Sequence, residues 1–495
     1  MAGADRGGLC GGHDGPVRDP RAQAPVRPRH HAGWKPVLAL LAALAVSAQA
    51  GAQTAVPDAR TLALAAGWKA SFLCSGLFVA EQDEATIAAN DLEGANPDIA
   101  PHIAGLPVRI DRTAKYVEVG AGDGAPARVA QFVGGRGCVQ LPIGGKAGQV
   151  PMPPSLVGGP DLKTTDARPW PHGDRLATAS LPGAKRRALD LVVTDALAGS
   201  RFGVDTRTSA VLVVLDGKIV AERYARGVGT HTPQRTFSVA KSLTSALVGR
   251  AVAMGVMEPM EPAHVPEWGT PGDPRASITV DQLLRMQSGL WTNGPGNRTD
   301  ALYYGGSTVT ETAGAAPLEV PPATRFNYAN NDTLLAARAL EIDLGEAAHT
   351  FAYTHLLWST GMTRTTIESD WQGHPILSSQ VWMTARDMAR LALLHLNDGV
   401  WEGQRLLPEG WVADTLTPVG PQPQRDDVAG YGRAIWLLGP AQGLPAGSYA
   451  FLGNRGQYAI VVPSRKLVVV RRGFDLPGTA FNFAALARDV VTALQ

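Results

Sequence analysis

The feature that most limits how this chain can fold is the position of its β-strand patterns, which lie at both ends of residues 185–495. Near the start, SAVLVVLDGKIVAERYA contains two β-branched runs joined by Asp216-Gly217, a dipeptide typical of a two-residue hairpin turn. Near the end, YGRAIWLLG, GSYAFLG, QYAIVVP and KLVVVRRG are further strand patterns. The helical patterns RRALDLVVTDALAG and FNFAALARDVVTAL lie outside these two sets. We therefore predict an α/β (α+β) fold: one antiparallel sheet built from both ends, flanked by the terminal helices, with a helical region inserted between.

Residues 1–50 have the pattern of a leader. Basic residues precede an apolar run after Lys35, and small residues at Ala48–Ala50 or Ala50–Ala52 fit a cleavage site. The run is shorter than the ~20 residues that a membrane-spanning helix needs. We expect a secretory signal peptide and an exported protein, periplasmic or extracellular, with a retained N-terminal anchor as the alternative. No second segment is expected to span a bilayer.

Two regions separate this leader from the strand-rich domain. Residues 51–150 mix short apolar runs with Gly and Pro and contain no catalytic motif, so their role is unknown. Residues 151–184 are rich in Pro and Gly, which predicts a linker or an extended segment over a surface. Cys74 and Cys138 are the only cysteines after the leader, and in an exported protein an even pair suggests a disulfide. Two buried thiols are the alternative.

Charge and residue types exclude several classes of function. The formal net charge is +1 and no run of like charge is present, so nothing indicates a nucleic-acid partner. Two cysteines cannot form a tetrahedral metal site alone, and the histidines lack ligand spacing. We expect neither a metal nor another cofactor. The sequence does not indicate the oligomeric state.

The stretch TFSVAKSLTSALVGRA contains the only S-x-x-K motif of the chain, Ser238 and Lys241. Residues three apart are neighbours on a helix surface, so the lysine can reach the serine hydroxyl. A desolvated lysine can remove the proton of an alcohol, and free N–H groups at a helix start favour a developing anion. The motif therefore indicates Ser–Lys nucleophilic catalysis. The alternative is a serine that caps the helix and a lysine that is solvated.

A single Y-x-N motif, Tyr328-Ala329-Asn330, lies downstream in RFNYANND. A phenol can move a proton to a leaving group, and an amide can hold both the lysine and the substrate. The pair therefore supplies what a Ser–Lys site lacks. A half-buried tyrosine with a satisfied hydroxyl is the alternative.

Motifs along residues 185–495 resemble the serine β-lactamase-like superfamily, which includes class C β-lactamases, D-alanyl-D-alanine carboxypeptidases, esterases and 6-aminohexanoate-dimer hydrolases. SVAKSLTSALVG, ITVDQLLRMQSGLW, FNYANND, YGRAIW and GNRGQYAIVVPSRKLVVVRRG occur in the order of the 6-aminohexanoate-dimer hydrolase branch. The resemblance implies a β-lactamase/transpeptidase-like fold, here with an N-terminal extension. It also implies Ser238 as nucleophile, Lys241 as base and Tyr328 as proton relay, with Asn330 as a helper.

One motif departs from the penicillin-recognising members, which carry Lys-Thr-Gly on the strand beside the serine. The corresponding residues here are Phe451-Leu452-Gly453, so the cation is absent although the glycine remains. We expect the N–H groups of Asn454 and Ser238 to form the oxyanion hole. Arg455 could restore a charge but is expected to be solvated or structural. Tyr303 or Tyr304 could replace a tyrosine of the dimer hydrolases that is missing after the S-G-L turn.

Together these residues predict an exported serine hydrolase that cleaves a small-molecule ester or amide through an acyl-enzyme on Ser238. D-Alanyl-D-alanine carboxypeptidase or class C β-lactamase activity is one alternative. A catalytically inactive cell-envelope binding protein is the alternative from another class.

Overall fold

The computed structural model describes residues 57–122, 125–176, 181–292 and 299–495, and the predicted leader lies outside these residues. The α-helices are α1 Ala59–Phe78, α2 Glu84–Asn90, α3 Ala100–Ile103, α4 Leu162–Asp166, α5 Gly183–Ala198, α6 Val239–Ala253, α7 Val280–Leu284, α8 Asp300–Tyr303, α9 Asn330–Leu344, α10 Ala348–Ala352, α11 Ala385–Leu396, α12 Trp411–Thr415 and α13 Phe483–Ala493. The β-strands are β1 Val108–Asp111, β2 Tyr116–Val119, β3 Arg128–Val133, β4 Gly137–Gln140, β5 Thr208–Leu215, β6 Lys218–Tyr224, β7 Gln234–Arg235, β8 Thr366–Ile367, β9 Val381–Met383, β10 Val400–Trp401, β11 Gln404–Arg405, β12 Gly430–Tyr431, β13 Trp436–Leu437, β14 Tyr449–Gly453, β15 Gln457–Val462 and β16 Leu467–Gly473.

A seven-stranded antiparallel sheet has the order β12-β13-β14-β15-β16-β5-β6. The β5–β6 hairpin turns at Asp216 and Gly217, whose φ angles of 47° and 74° match the turn that this dipeptide favours. Strand β16 pairs with β5 and so joins the two ends of the domain in one sheet. The predicted fold class is thereby confirmed. The smaller sheets are β7-β9-β8 and the β10-β11 pair.

Both faces of this sheet are buried, which explains why its central strands are apolar at nearly every position. On one face, Val211 and Val213 pack with residues of α5 and α13, the two terminal helices. On the other face, Leu212 and Val214 belong to the core that contains α6 and α11. Because successive side chains of a strand point to opposite faces, the run SAVLVVL supplies both cores.

The N-terminal residues form a four-stranded antiparallel sheet, β1-β2-β3-β4, covered by α1. Cys74 of α1 and Cys138 of β4 form the predicted disulfide. One side of α1 packs on this small sheet, while Trp68 and Phe72 on another side belong to the core around α6. Residues from Pro57 to Gln495 thus form one compact unit.

Among the described residues, α1 alone has the length and apolar composition of a membrane-spanning helix, although 72% of its apolar window is buried inside the fold. The expectation that no second segment spans a bilayer stays a prediction. Because α1 is covered by protein on two sides, it is apolar around most of its circumference.

The Pro- and Gly-rich segment lies against the strand-rich domain. The indole N–H of Trp170 donates to the carbonyl of Gly217 at 2.9 Å. The guanidinium of Arg390 in α11 bonds the Asp174 carboxylate at 2.6 Å and the carbonyl of Pro171 at 2.7 Å. These contacts attach residues 170–174 to the surface beneath α11.

Candidate active site

Ser238 lies at the N-terminal end of α6, in a cleft of about 530 Å³. Phe237 before it has a φ of 48°, a left-handed conformation that non-glycine residues adopt at a cost of ~1–2 kcal/mol. The Ser238 side chain makes no capping hydrogen bond to the helix. Its hydroxyl is therefore available for other chemistry, and the helix-cap interpretation does not hold.

Lys241 is buried, with 1% of its surface exposed, because α6 packs against the sheet on one side and α9 on the other. Its Nζ lies 2.6 Å from Asn330 Oδ1, 2.8 Å from the carbonyl oxygen of Ser378 and 3.2 Å from Ser238 Oγ. Burial lowers the pKa of Lys241 to about 7, while the charge of Asp332 opposes this shift. A neutral amine has two protons, which Asn330 and Ser378 can accept. Its lone pair then faces the serine hydroxyl, as a base requires.

Tyr328 lines the same cleft, and its side chain hydrogen-bonds that of Ser238. The tyrosine ring is 5.2 Å from Lys241 Nζ and 5.2 Å from the ring of Trp436. Burial raises the pKa of Tyr328 above its usual value, so the phenol stays protonated at neutral pH. It can therefore donate a proton and receive one in return.

Asn330 begins α9, bonds Lys241 and lines the cleft. Besides accepting from Lys241, it donates from Nδ2 to Thr299 Oγ1 at 3.2 Å. The structure thus brings Ser238, Lys241, Tyr328 and Asn330 together, as the two sequence motifs predict.

Gly453 ends β14 next to Ser238. A Cβ atom at this position would lie 2.3 Å from the carbonyl oxygen of Thr236 and 3.3 Å from the backbone nitrogen of Ser238. Only a glycine allows the strand to approach so closely. Asn454 follows, and neither its backbone N–H nor that of Ser238 donates to an acceptor within the described ranges. Two such donors on either side of a serine are the arrangement that stabilises an oxyanion.

Arg455 is buried rather than solvated. Its guanidinium donates to the backbone carbonyls of Asn90 and Asp91 and to those of Phe474 and Asp475. These contacts hold it away from the cleft, so it cannot serve as a cation for a substrate carboxylate.

Both tyrosines considered from the sequence line the cleft. Tyr303 OH lies 2.6 Å from Ser378 Oγ, and Tyr304 OH lies 3.4 Å from the Arg235 guanidinium. Tyr303 therefore contacts the residue whose carbonyl holds Lys241. Burial raises the pKa values of both phenols, so they remain protonated.

Sequence reasoning missed several residues at this site. Asp332 is buried, accepts from Ser288 Oγ at 2.8 Å, and has a pKa raised by burial to about 7. On the outer rim, Arg425 stacks on Trp436 and bonds Asp427 through two hydrogen bonds of 2.5 and 2.9 Å. The other wall contains Trp68, Gly94 and Asn96 of the N-terminal region. Only Asp332, which follows the Y-x-N motif in YANND, had a signal in the sequence.

One group of side chains elsewhere has the spacing of metal ligands. Asp166, Asp174 and His231 have ligand atoms within 4.8 Å of one another. Arg364 bonds Asp166 at 2.6 Å and Arg390 bonds Asp174 at 2.6 Å, so arginines already neutralise both carboxylates. The group therefore gives no reason to assign a metal.

Comparison with known sequences gives two results. A model of the family described as Beta-lactamase matches residues 196–471. The 6-aminohexanoate-dimer hydrolase of Paenarthrobacter ureafaciens is 27% identical over 293 residues, which cover 54% of this chain and 72% of that protein.

Comparison with solved structures identifies the same fold. A Bacillus anthracis protein assigned as a 6-aminohexanoate-dimer hydrolase superposes with a TM-score of 0.50 and 21% identity, covering 64% of this chain and 87% of its own. A Bacteroides dorei protein assigned as a beta-lactamase superposes with a TM-score of 0.51 and 18% identity, covering 62% and 97%. In both cases more than a third of this chain lies outside the shared fold.

Proposed function

The chain belongs to the beta-lactamase family of serine hydrolases, and on that premise we propose that it cleaves an ester or linear amide through an acyl-enzyme on Ser238. The observation that carries the proposal is Lys241, a buried amine with a pKa of about 7 whose nitrogen lies 3.2 Å from the serine hydroxyl. An amine that is neutral near physiological pH can act as a general base, and this geometry is within its reach. An inactive binding protein would have no need to bury a lysine in this way.

The chemistry follows from the positions of the groups. Ser238 Oγ attacks the carbonyl carbon as Lys241 Nζ takes the hydroxyl proton. The carbonyl oxygen becomes an oxyanion, for which the N–H groups of Ser238 and Asn454 are the proposed donors. Tyr328 gives its proton to the leaving alcohol or amine and recovers one from Lys241. Water then attacks the acyl-enzyme by the same route, which releases the acid and restores the serine.

The cleft favours substrates without a carboxylate beside the scissile bond. Leu452 lies in the cleft at the position where the penicillin-recognising relatives have a hydroxyl. The guanidinium of Arg455 donates to backbone carbonyls instead of facing the cleft. Arg425 is the remaining cation of the described cleft lining, and Asp427 neutralises it. A desolvated carboxylate would therefore lack a partner, which costs several kcal/mol. A linear amide is the second candidate, since the Paenarthrobacter ureafaciens relative is a 6-aminohexanoate-dimer hydrolase.

The test compares p-nitrophenyl butyrate with nitrocefin, using the wild type, Ser238→Ala and Ser245→Ala. Ser245 lies on the same helix, is buried and has no hydrogen-bond partner among the described residues, so its substitution is a matched control. We expect Ser238→Ala to lose on the order of 10⁴-fold in kcat. We expect Ser245→Ala to retain activity and the wild type to have a higher kcat/KM for the ester. Equal turnover by Ser238→Ala would disprove the assignment, and a higher nitrocefin efficiency would favour a β-lactamase.

We also propose that the protein is exported. The leader pattern of residues 1–50 supports this, as does the Cys74–Cys138 disulfide, since such bonds persist in oxidising compartments. Mass spectrometry of the protein from a periplasmic or culture fraction should find a mature N-terminus near residue 51. Full-length protein confined to the cytoplasm would contradict the proposal.

A further inference from the structure

Arg455 connects the N-terminal region to the strand end beside the nucleophile. Its side chain is 3% exposed and donates to the carbonyls of Asn90, the last residue of α2, and of Asp91, which follows it. It also donates to the carbonyls of Phe474 and Asp475, which follow β16, at 3.3 and 3.1 Å. The guanidinium therefore joins the end of α2 to the segment that follows β16.

The backbone of Arg455 sits in a conformation that needs support. Its φ and ψ angles are 57° and 29°, in the left-handed region that a residue with a Cβ disfavours. Its own N–H donates to Asn454 Oδ1 at 2.8 Å, which fixes the turn Gly453-Asn454-Arg455. The orientation of the Asn454 peptide thus depends on where the Arg455 side chain is anchored.

Gly94 of the N-terminal region also restricts where the Arg455 guanidinium can lie. A Cβ atom on Gly94 would lie 1.9 Å from Arg455 Cζ, so the side chain passes directly over this glycine. Gly94 and Asn96 themselves line the cleft that contains Ser238. These residues precede the segment matched by the family model, residues 196–471, so the family does not account for them.

We propose that Arg455 is a positioning residue: anchored on residues 90–94, it holds the Asn454 N–H toward the oxyanion, so the N-terminal region is part of the working active site. The inference rests on the proposed acyl-enzyme function. A guanidinium suits this task because its planar fork bonds several carbonyls at once, whereas a lysine offers a single point. If the Asn454 N–H is displaced, the transition state loses more stabilisation than the bound substrate does. The reason is that the carbonyl oxygen carries its negative charge in the transition state and not in the bound substrate.

The chain offers matched variants for the test. Arg455→Lys keeps the charge and loses the fork, while Gly94→Ala displaces the guanidinium without altering any residue of the family domain. Gly105→Ala is the control for the second, because a Cβ there meets no atom within 4 Å. Arg207→Ala is the control for the first, because Arg207 bonds Ala89 O and Glu93 of the same segment but lies 39% exposed at the surface.

The experiment measures kcat and KM for p-nitrophenyl butyrate and the Ki of a phenylboronic acid, whose serine adduct places a hydroxyl where the oxyanion forms. We expect Arg455→Lys and Gly94→Ala to lose at least tenfold in kcat, with KM within about threefold of the wild type. Loss of one oxyanion donor costs ~10²–10³-fold in kcat, which sets the upper range. The Ki should rise in parallel, and both controls should stay within about twofold of the wild type.

The outcomes separate the inference from the function on which it rests. If the wild type hydrolyses the ester and Ser238→Ala does not, the proposed function stands, and retention of kcat by Gly94→Ala and Arg455→Lys then overturns the inference alone. If the wild type is inactive on esters and amides, the proposed function itself fails. Thermal unfolding measurements on each variant show whether it is folded. If the control Arg207→Ala is folded and still loses kcat to the same large extent, the inference is also overturned.

Discussion

At the residue scale, the chemistry of the cleft depends on how the protein treats the charge of Lys241. The side chain is enclosed by α6 and α9, and its two short hydrogen bonds go to neutral oxygens of Asn330 and Ser378. No carboxylate among the described residues bonds it directly. Burial of a cation without a bonded counter-charge favours the neutral form, and this is why its pKa falls to about 7.

This shift makes the pH dependence of catalysis a specific prediction. In the proposed mechanism the active form of Lys241 is neutral, so protonation below pH 7 removes the base. We expect kcat/KM for a neutral ester to fall about tenfold per pH unit below about pH 7 and to level off above it. A pH–rate profile from 5 to 9 measures this, and a profile that is flat across that range would contradict the assignment.

A variant of Asp332 tests whether Lys241 is the group that titrates in the pH–rate profile. Its negative charge raises the pKa of Lys241, and Asp332→Asn would keep a side chain that can bond Ser288. The acidic limb of the profile should therefore move to lower pH in this variant. A move to higher pH would mean that the titrating group is not a cation beside Asp332.

The sequence predicted which of these side chains lie together to the extent that their relations are local. Ser238 and Lys241 are three apart on one helix, so their proximity follows from helix geometry. The Ser378 carbonyl could not be predicted, since every residue has one and only the tertiary fold places it by the lysine. The same holds for Thr299, which bonds Asn330 from a different segment.

At the element scale, the position of Ser238, the proposed nucleophile, depends on how closely β14 approaches the start of α6. Gly453 touches the backbone of Thr236, and Phe237 takes a left-handed conformation between that residue and the serine. The strand and the helix start therefore fit together through backbone atoms, which cannot move aside as a side chain can. The glycine of the strand motif persists here although the residues before it differ from Lys-Thr.

We predict that Gly453→Ala separates the strand from the nucleophile. Its Cβ would lie 2.3 Å from Thr236 O, far inside van der Waals contact. Such overpacking costs ~1–3 kcal/mol of stability, and kcat/KM should fall by about 10²-fold as an oxyanion donor is displaced. Gly229→Ala is the control, since its Cβ would meet only Thr232 Oγ1, at 3.9 Å. Ester hydrolysis and thermal unfolding are measured for both variants. A fully active Gly453→Ala would show that the close approach of β14 to the start of α6 does not require a glycine.

The elements themselves were predictable where their patterns were strong. The β-branched runs of β5, β15 and β16 are buried on both faces. Because of this burial they are continuous apolar runs, which can be recognised as strands from the sequence. The strands β1, β2 and β4 have only four residues each, and residues of β1 are exposed, so their pattern is weak. Their pairing depends on α1 covering them, which is a tertiary effect that local propensity does not contain.

At the scale of the whole molecule, residues 57–141 are joined to the hydrolase fold in several independent ways. Trp68 and Phe72 enter its main core, and Trp68 lies 4.7 Å from the ring of Tyr304 in the cleft. Glu368 accepts from Ser75 Oγ and from the Cys138 N–H, so a buried carboxylate of the hydrolase domain contacts both α1 and β4. The region therefore belongs to the cleft even though it carries no catalytic motif.

The disulfide holds this region together, and its removal should test how far the rest depends on it. Cys74 and Cys138 are 64 residues apart, so the bond closes a long loop in the unfolded chain and should contribute on the order of 2–4 kcal/mol to the free energy of unfolding. We expect Cys74→Ser/Cys138→Ser to unfold at lower urea concentration than the wild type. Because α1 also lines the cleft, ester hydrolysis should be lost in the same transition as the first structural change. Dithiothreitol should lower the midpoint of the wild type and leave that of the double variant unchanged; equal midpoints for the two proteins without reductant would show that the bond does not stabilise the fold.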